Sequence, residues 1–459
     1  MALTIKQLNG GASFLLTFEP IEDDSTDGAQ EVEPFRVLLD PSLEGPSNNG
    51  HAKFSSTSYT QRAHVSTLRE LPEPDLVIIS SSRRDHCNEA TLRQLAPHGT
   101  KTLILAEPAA AKLVKSWRYF DEGKVLAVGR WQDPRKTGRD TAIRVPISPR
   151  VLGGDEGQVT VSFISQTKER KGNQAAIGIT YRPAPSTATI CRRPTTATAT
   201  SSSTPLSGFA SRMASLVNLS THETVNSPIL PPLPAFAPLT PPASPVPPSL
   251  RTKRSTASLS PHARDRSVSI IFSPHGTSYS AIETYATSHL VSEAALPLTA
   301  LLHCFDTVSQ PWWLGGNVNG LHDGQDIVAK LGARAWISMY DGEKRTRGLT
   351  KRLTRRTKYN IDEVREIVNR TTDNLADSRK ADSTHSGKID RPTEVMALKI
   401  GEEVALTSEG VWAVEPPSPA QSVRCGHRLS IFHILNGGGT GERISSFRIS
   451  KLWSGIAMV

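Results

Sequence analysis

Asp85, His86 and Cys87 are adjacent in the sequence, in a loop between a predicted strand and a predicted helix. Carboxylate and imidazole groups are ordinary ligands of zinc and related metal ions. A thiolate beside His86 could act as a nucleophile if its pKa were lowered. Free cysteine is also among the most buried residue types. The three residues are therefore consistent with either a reactive or a structural Cys87.

Paired indoles stand beside two glycines at Trp312, Trp313, Gly315 and Gly316. This composition suits the wall of a ligand pocket that the backbone approaches closely. Core packing followed by a tight turn explains the same residues equally well. We therefore name Trp312 and Trp313 as candidate cleft residues and keep both interpretations.

Alternating apolar runs and helical stretches predict an α/β domain in which helices cover sheets. The loop around His86 separates a β-branched strand at residues 76–80 from a helix at 88–95. Residues 395–406 are predicted as a terminal pair of strands that turns at Gly401 and Glu402. The other predicted strands are residues 12–18, 35–39, 102–106, 125–128, 159–164, 176–181, 267–272, 298–303 and 335–339. The other predicted helices are residues 108–117, 280–295, 324–331 and 360–369.

Proline is unevenly distributed in this chain, which has 33 prolines in 459 residues. Residues 183–266 are rich in Ser, Thr and Pro, and a stretch at 228–248 favours polyproline II. Strand-like patterning resumes directly afterwards, so we interpret 183–266 as a disordered insertion in one domain, whose halves are residues 1–182 and 267–415. Residues 416–459 lack a periodic pattern and are predicted to be a poorly ordered tail.

The net charge of +9 permits binding to nucleic acid or to an anionic membrane. The basic tracts are typical of loops, however, and they lack aromatic platforms for bases. We therefore expect a small-molecule ligand or substrate, and neither nucleic acid nor a membrane.

The four cysteines form no Cys-x-x-Cys pair. No secretory signal or apolar run of roughly 18 residues is recognisable. These features predict an intracellular protein, in the cytoplasm or the nucleus.

The order of the elements and three short motifs resemble the metallo-β-lactamase superfamily, and within it the lactonase-like branch. That branch has Gly-His-Ala-Ser-Phe, Leu-Ile-Asp-Pro and Ile-Ser-His-x-His-x-Asp-His in succession. This chain has GGASF at residues 10–14, LLDP at 38–41 and ISSSRRDH at 79–86. Asp85-His86-Cys87 also resembles the core of an eroded loop in fungal branches. The resemblance covers about residues 3–182 and 267–410. It implies a four-layer αββα sandwich, with two sheets face to face and helices outside.

The same resemblance implies that much of the metal-binding signature is lost. Ser81 and Arg83 fall where the loop has its first two histidines, and a guanidinium does not coordinate metal because it has no acceptor. The next histidine position is occupied by Gln166 or a neighbour within residues 165–168. The bridging aspartate position is occupied by His275, and the last histidine position by Tyr340, with Asp341 beside it.

What remains of the signature implies at most one divalent ion, with zinc the first choice, held by Asp85, His86 and His275. The implied fold brings their two loops to one sheet edge, where Tyr340 or Asp341 could add an oxygen ligand. The alternative is that no metal binds. In that case Asp85 caps the following helix, and the two histidines hydrogen-bond in the former cleft.

Two functions follow from these alternatives. With a metal, the protein is a hydrolase of an ester, lactone or phosphoester with vestigial or altered activity, and the metal polarises the bound group and supplies hydroxide. Without one, it is a non-catalytic binding protein for a small anionic ligand. Ser81, Arg83 and Gln166 then replace the metal, since a planar guanidinium suits carboxylate or phosphate. Both functions require that the segments flanking the insertion meet in one cleft.

Overall fold

Strands dominate the described part of the chain. The computed structural model describes residues 1–21, 33–43, 47–48, 56–150, 154–165, 175–185, 265–311, 317–347, 352–380 and 392–412. The strands are β1 (Ala2–Gln7), β2 (Phe14–Glu19), β3 (Phe35–Leu39), β4 (Ser47–Asn48), β5 (Ser56–Tyr59), β6 (Leu76–Ile79), β7 (Leu103–Ala106), β8 (Val125–Ala127), β9 (Ile143–Ile147), β10 (Gly157–Ile164), β11 (Ala176–Arg182), β12 (Val268–Ser273), β13 (Ala300–His303), β14 (Thr307–Ser309), β15 (Val318–Asn319), β16 (Ala335–Ser338), β17 (Lys344–Arg347), β18 (Arg355–Thr357), β19 (Glu394–Met396), β20 (Glu403–Thr407) and β21 (Gly410–Val411).

Helices are fewer in these ranges. They are α1 (Glu89–Leu92), α2 (Pro108–Ser116), α3 (Pro134–Thr137), α4 (Tyr279–Tyr285), which continues into the π-helical turn Ala286–Leu290, α5 (Gly320–Leu331) and α6 (Ile361–Lys380). None of these described helices is both long enough and apolar enough to cross a membrane.

Two large sheets hold most of the described strands. The first sheet has the order β21-β20-β1-β2-β3-β6-β7-β8, and the second has the order β19-β16-β13-β12-β11-β10-β9. Strands β3, β6 and β7 run parallel to one another, as do β12, β13 and β16. Two small sheets, β15-β14-β18 and β17-β5-β4, complete the described pairings.

Both faces of each large sheet are buried, which produces four layers. Successive side chains along a strand point to opposite faces. In β6, Leu76 and Ile78 lie in the core shared by the two sheets, whereas Val77 and Ile79 pack with α1 and α2. In β16, Trp336 packs with α4, α5 and α6. The predicted α/β fold, a four-layer αββα sandwich, is confirmed.

The strands on either side of the predicted insertion are neighbours in the second sheet. Strand β11 pairs antiparallel with β12, with Ile179 opposite Ile270 and Tyr181 opposite Val268. Tyr181 also stacks on Phe18 of the first sheet, with 4.5 Å between ring centroids. The predicted disorder of the insertion concerns residues that, apart from 183–185 and 265–266, lie outside the described residues, and so does the tail at 416–459.

The two strands predicted at residues 395–406 and the turn at Gly401 are present, but the strands do not pair with each other. Val395 in β19 lies opposite Trp336 of the second sheet, whereas Leu406 in β20 lies opposite Leu3 of the first. The chain therefore crosses from one sheet to the other at Gly401, and each strand gains a hydrogen-bonded partner and a buried face there. Neither β1 nor β9 was predicted from the sequence, and in β9 the residues Arg144 and Pro146 interrupt the apolar pattern.

Candidate metal centre

Four loops meet beyond the carboxyl ends of strands from both sheets. Asp40 follows β3, the loop with Asp85 and His86 follows β6, His275 follows β12, and Tyr340 follows β16. The carboxyl ends of parallel strands lie at the same edge of a sheet, which is where sites form in α/β folds. His86 and His275, 189 positions apart, consequently come into direct contact.

His86 is fully buried and is held through both ring nitrogens. Its Nδ1 lies 2.6 Å from Asp40 Oδ2, and its Nε2 lies 2.8 Å from His275 Nε2. The Asp40 carboxylate also accepts hydrogen bonds from the backbone N–H and the hydroxyl of Ser80, at 2.7 and 2.6 Å. A carboxylate that accepts from one imidazole nitrogen orients the ring and leaves the other nitrogen for a ligand. Asp40 thus directs His86 Nε2 toward His275.

In the sequence, Asp40 is recognisable only as part of the LLDP motif, and its contact with His86 was not predicted. It has a left-handed backbone with φ of 39°. Backbone strain of this kind persists where the surrounding structure imposes it, often at functional sites. Its place directly after an apolar strand was the signal in the sequence that could have identified it.

Neighbouring charges shift the pKa values of His86 and Asp85. Burial alone would lower the pKa of His86, but the charges of Asp85 and Asp40 outweigh it and raise the pKa. Burial alone would raise the pKa of Asp85, but the charges of His86, Arg83 and His275 and a hydrogen bond from Tyr340 lower it. Asp85 is therefore ionised at neutral pH, as a metal ligand must be.

Asp85, His86 and His275 converge on one point. A ligand atom from each lies within 4.8 Å of the other two, and all three residues are buried. Oxygen Oδ2 of Asp85 accepts a hydrogen bond from the Tyr340 hydroxyl. Oxygen Oδ1 is buried without a hydrogen-bond partner among the described residues. A buried carboxylate oxygen in that state costs free energy unless a cation or a donor satisfies it.

Two tyrosines enclose this cluster. The Tyr340 ring stacks on His86 and meets His275 edge-on, with centroid distances of 5.7 and 5.0 Å. Tyr59 lies nearby and is half-buried, and desolvation followed by the charge of Asp85 raises its pKa well above the usual value. A side chain at Gly11 would collide with the Tyr59 hydroxyl, so this position requires glycine. Tyr59 was not predicted, because no motif distinguishes it in the sequence.

Arg83 lies at the edge of the cluster. Its Nη1 is 3.5 Å from His275 Nε2, and the side chain forms no ion pair with a carboxylate of the described residues. The Ser81 hydroxyl accepts a hydrogen bond from the Arg83 backbone at 3.3 Å. The other predicted cleft residues, Gln166, Trp312 and Trp313, lie outside the described residues.

Asp341 does not belong to the converging group. Its carboxylate accepts from the backbone N–H of Phe305 and the hydroxyl of Ser338, both at 2.7 Å, and from the backbone N–H of Asp306 at 3.2 Å. Burial and the neighbouring Asp306 charge raise its pKa to about 6. Asp341 therefore secures the loop that carries Tyr340.

The structure also identifies the residue that caps α1 and the surroundings of Cys87. Asn88, not Asp85, caps α1, because its side-chain oxygen accepts a hydrogen bond from Thr91 N–H at 3.0 Å. Cys87 is buried beneath α1 and α2, and burial raises the pKa of its thiol to about 12. A thiol with that pKa is not ionised at neutral pH, so Cys87 is a structural residue rather than a nucleophile.

His303 holds the loop that carries His275. It is fully buried, its Nδ1–H donates to Cys304 O at 2.9 Å, and its Nε2 accepts from Thr277 N–H at 3.2 Å. Burial lowers its pKa from 6.5 to about 4. His303 is therefore neutral at physiological pH, with the proton on Nδ1.

Acid is expected to destabilise the protein through His303. Between pH 6.5 and about 4 the unfolded chain binds a proton at this histidine and the folded chain does not, so stability falls as pH falls. The full loss is about 3 kcal/mol, at roughly 1.4 kcal/mol for each pKa unit. Urea unfolding of the wild type and His303→Asn at pH 7 and pH 4 measures it. The variant should have the shallower pH dependence, and parallel pH profiles would contradict the assignment.

Solved structures with a similar fold share little sequence with this chain. A metallo hydrolase from the hyperthermophilic archaeon Ignicoccus hospitalis has a TM-score of 0.37 and 9% identity, covering 88% of this chain and 98% of its own. An isothiocyanate hydrolase from Delia radicum gut bacteria has a TM-score of 0.38 and 13% identity, covering 88% and 99%. A diiron beta-hydroxylase from Streptomyces venezuelae has a TM-score of 0.36 and 11% identity, covering 88% and 54%.

These likenesses concern the fold alone. At such identities and TM-scores they carry no argument about chemistry. None of these three structures is described as a lactonase-like or a fungal member of the superfamily. The assignment of this chain to such a branch therefore stays a prediction. No protein-family model matches the sequence, and no curated protein matches it.

Proposed function

We propose that this protein binds one divalent metal ion through Asp85, His86 and His275 and acts as a metal-dependent hydrolase. The observation that carries the proposal is the convergence of three buried ligand atoms within 4.8 Å. Two imidazole nitrogens and one carboxylate oxygen match the donor set of catalytic zinc and of non-haem iron, and leave room for water. The unpartnered Asp85 Oδ1 supports the fit, because a cation would satisfy it.

The residues around the centre have separable tasks. Asp40 holds the proton on His86 Nδ1 and so keeps Nε2 available as a ligand atom. Burial of the cluster excludes bulk water, which strengthens each electrostatic interaction within it. When bound, a divalent ion with this donor set supplies Lewis-acid activation of water and of a polarised substrate bond. Arg83, at the open edge, is placed to bind an anionic part of the substrate. The substrate class we propose is an ester, lactone or phosphoester.

A second candidate function rests on Arg83. Its guanidinium lies 3.5 Å from His275 Nε2 and has no carboxylate partner among the described residues. A permanent positive charge so close to a ligand atom disfavours a cation and favours an anion. The protein would then bind a small carboxylate or phosphate compound without catalysing a reaction.

Metal analysis distinguishes the two candidates. We expect elemental analysis of gently purified protein to find one zinc, iron or manganese ion per chain. We also expect a chelator to lower the melting temperature and the same metal to restore it. Protein without metal, with a melting temperature that responds to phosphate or a carboxylate and not to divalent ions, would reject the hydrolase in favour of the anion-binding protein.

A further inference from the structure

The two oxygens of the Asp85 carboxylate have different surroundings. The Tyr340 hydroxyl donates to Oδ2, whereas Oδ1 has no hydrogen-bond partner among the described residues. We propose that Tyr340 is a positioning residue: its hydrogen bond to Oδ2, which lies 3.6 Å from His86 Nε2, holds the Asp85 carboxylate in its orientation within the metal centre. This inference rests on the proposed function, because it assigns the orientation of one of the three ligands.

The position of Tyr340 is set by the scaffold and not by Asp85. Its backbone is left-handed, with φ of 65°, and its N–H donates to Gly11 O at 3.0 Å. The next residue, Asp341, is anchored by Phe305 N–H and the Ser338 hydroxyl, both at 2.7 Å. A residue fixed on both sides in a conformation unfavourable for its type is held by its surroundings. The phenol therefore defines where Asp85 must lie.

The tyrosine ring and its hydroxyl can be separated experimentally. The ring packs against both histidines, nearly parallel to His86 at 17° and edge-on to His275 at 78°. Phenylalanine keeps the ring and removes the hydroxyl that donates to Asp85. The effect of Tyr340→Phe on metal binding thus reports on the hydrogen bond and not on packing.

The hydrogen bond from Tyr340 restricts the Asp85 carboxylate in two ways. It limits rotation of the carboxylate, and it occupies one of the two lone pairs of Oδ2. Outer partners of metal ligands generally contribute about 10- to 100-fold to metal affinity. We therefore expect Tyr340→Phe to bind Zn²⁺ at least roughly 10-fold more weakly with unchanged stoichiometry.

Calorimetric titration of the full chain with Zn²⁺ alone tests this inference, with Tyr119→Phe as the matched control. The Tyr119 hydroxyl donates to the carbonyls of Arg93 and Leu95, at 2.7 and 3.0 Å, far from the cluster in the fold. The control removes a hydrogen-bonded phenol without touching Asp85, so its Zn²⁺ affinity should equal that of the wild type. The Co²⁺ absorption spectrum should change in Tyr340→Phe and not in the control.

The outcomes separate this inference from the proposed function. A wild-type chain that binds no metal would overturn both. A wild-type chain that binds metal, together with equal Zn²⁺ affinity and an unchanged Co²⁺ spectrum in Tyr340→Phe, would overturn only the role of Tyr340. A further measurement needs no variant. A phenolate charge-transfer band in the Cu²⁺-loaded wild type would identify Tyr340 as a ligand and overturn the positioning role, whereas its absence supports that role.

Discussion

The His275→Ala variant is expected to lose the stabilisation that a divalent metal ion gives the wild type. A ligand that binds only the folded state at 100 times its dissociation constant stabilises that state by about 2.7 kcal/mol. His275 supplies one of three convergent ligand atoms from the second half of the chain. Its loss leaves two ligands from adjacent residues of one loop, which is too few for a protein zinc site. Thermal unfolding with and without Zn²⁺ measures the difference, at roughly 2–4 °C per kcal/mol.

An exposed histidine provides the control for this variant. His98 lies in the loop between α1 and β7 and is exposed, so His98→Ala should retain the full metal-induced shift. The expectation fails if Zn²⁺ stabilises His275→Ala as much as the wild type. It also fails if His98→Ala loses the shift, because that would locate the metal on the surface.

The Asp40→Asn variant is expected to lose about 3 kcal/mol of stability without any metal, as buried ion pairs do when one partner is removed. Asp40 is fully buried and accepts three hydrogen bonds, from His86 Nδ1 and from two donors of Ser80. An amide retains one acceptor oxygen and places a donor where the second oxygen was. The proton on His86 then moves to Nε2, which no longer binds a metal, so Zn²⁺ affinity should also fall by about 10- to 100-fold.

A second carboxylate, which is partly exposed to solvent, provides the comparison for Asp40. Asp75 accepts from Arg36 N–H at 2.7 Å and pairs with Lys101 at 3.1 Å, with 17% of its side chain exposed. Because solvent screens such a pair, Asp75→Asn should cost no more than about 1 kcal/mol. Chemical unfolding of the two variants gives both values. Equal losses would show that Asp40 has no special part in the buried cluster.

Much of the fold was predictable because both faces of each sheet are buried. Leu76–Ile79 is apolar at every position and Ala335–Ser338 is apolar at its first three positions, and all of these residues are buried. The same runs identify where loops begin, but Asp85, His86 and His275 were named as candidates through the motif resemblance at residues 79–86 and at the later ligand positions. β9 was missed because a strand at the edge of a sheet does not need a continuous apolar pattern.

The separation of β19 from β20 shows what a local pattern does not contain. Val395 and Leu406 are both strand-forming and lie close in sequence, which is also true of a hairpin. Their assignment to different sheets depends on which open edge each strand meets, at β16 and at β1. Such edges exist only once the remaining strands have paired.

The sequence by itself indicated most strands of the two large sheets, because buried strands produce apolar runs along the chain, and the resemblance of its motifs implied the αββα layers. Only the tertiary structure decided that Asp40 contacts His86, that Tyr340 donates to Asp85 and that Asp341 accepts from Phe305, Asp306 and Ser338. These contacts join residues from separate strand ends, and their directions depend on backbone angles such as the left-handed φ of Asp40 and Tyr340. A one-dimensional pattern records which residues are present, whereas hydrogen bonds depend on where their atoms point.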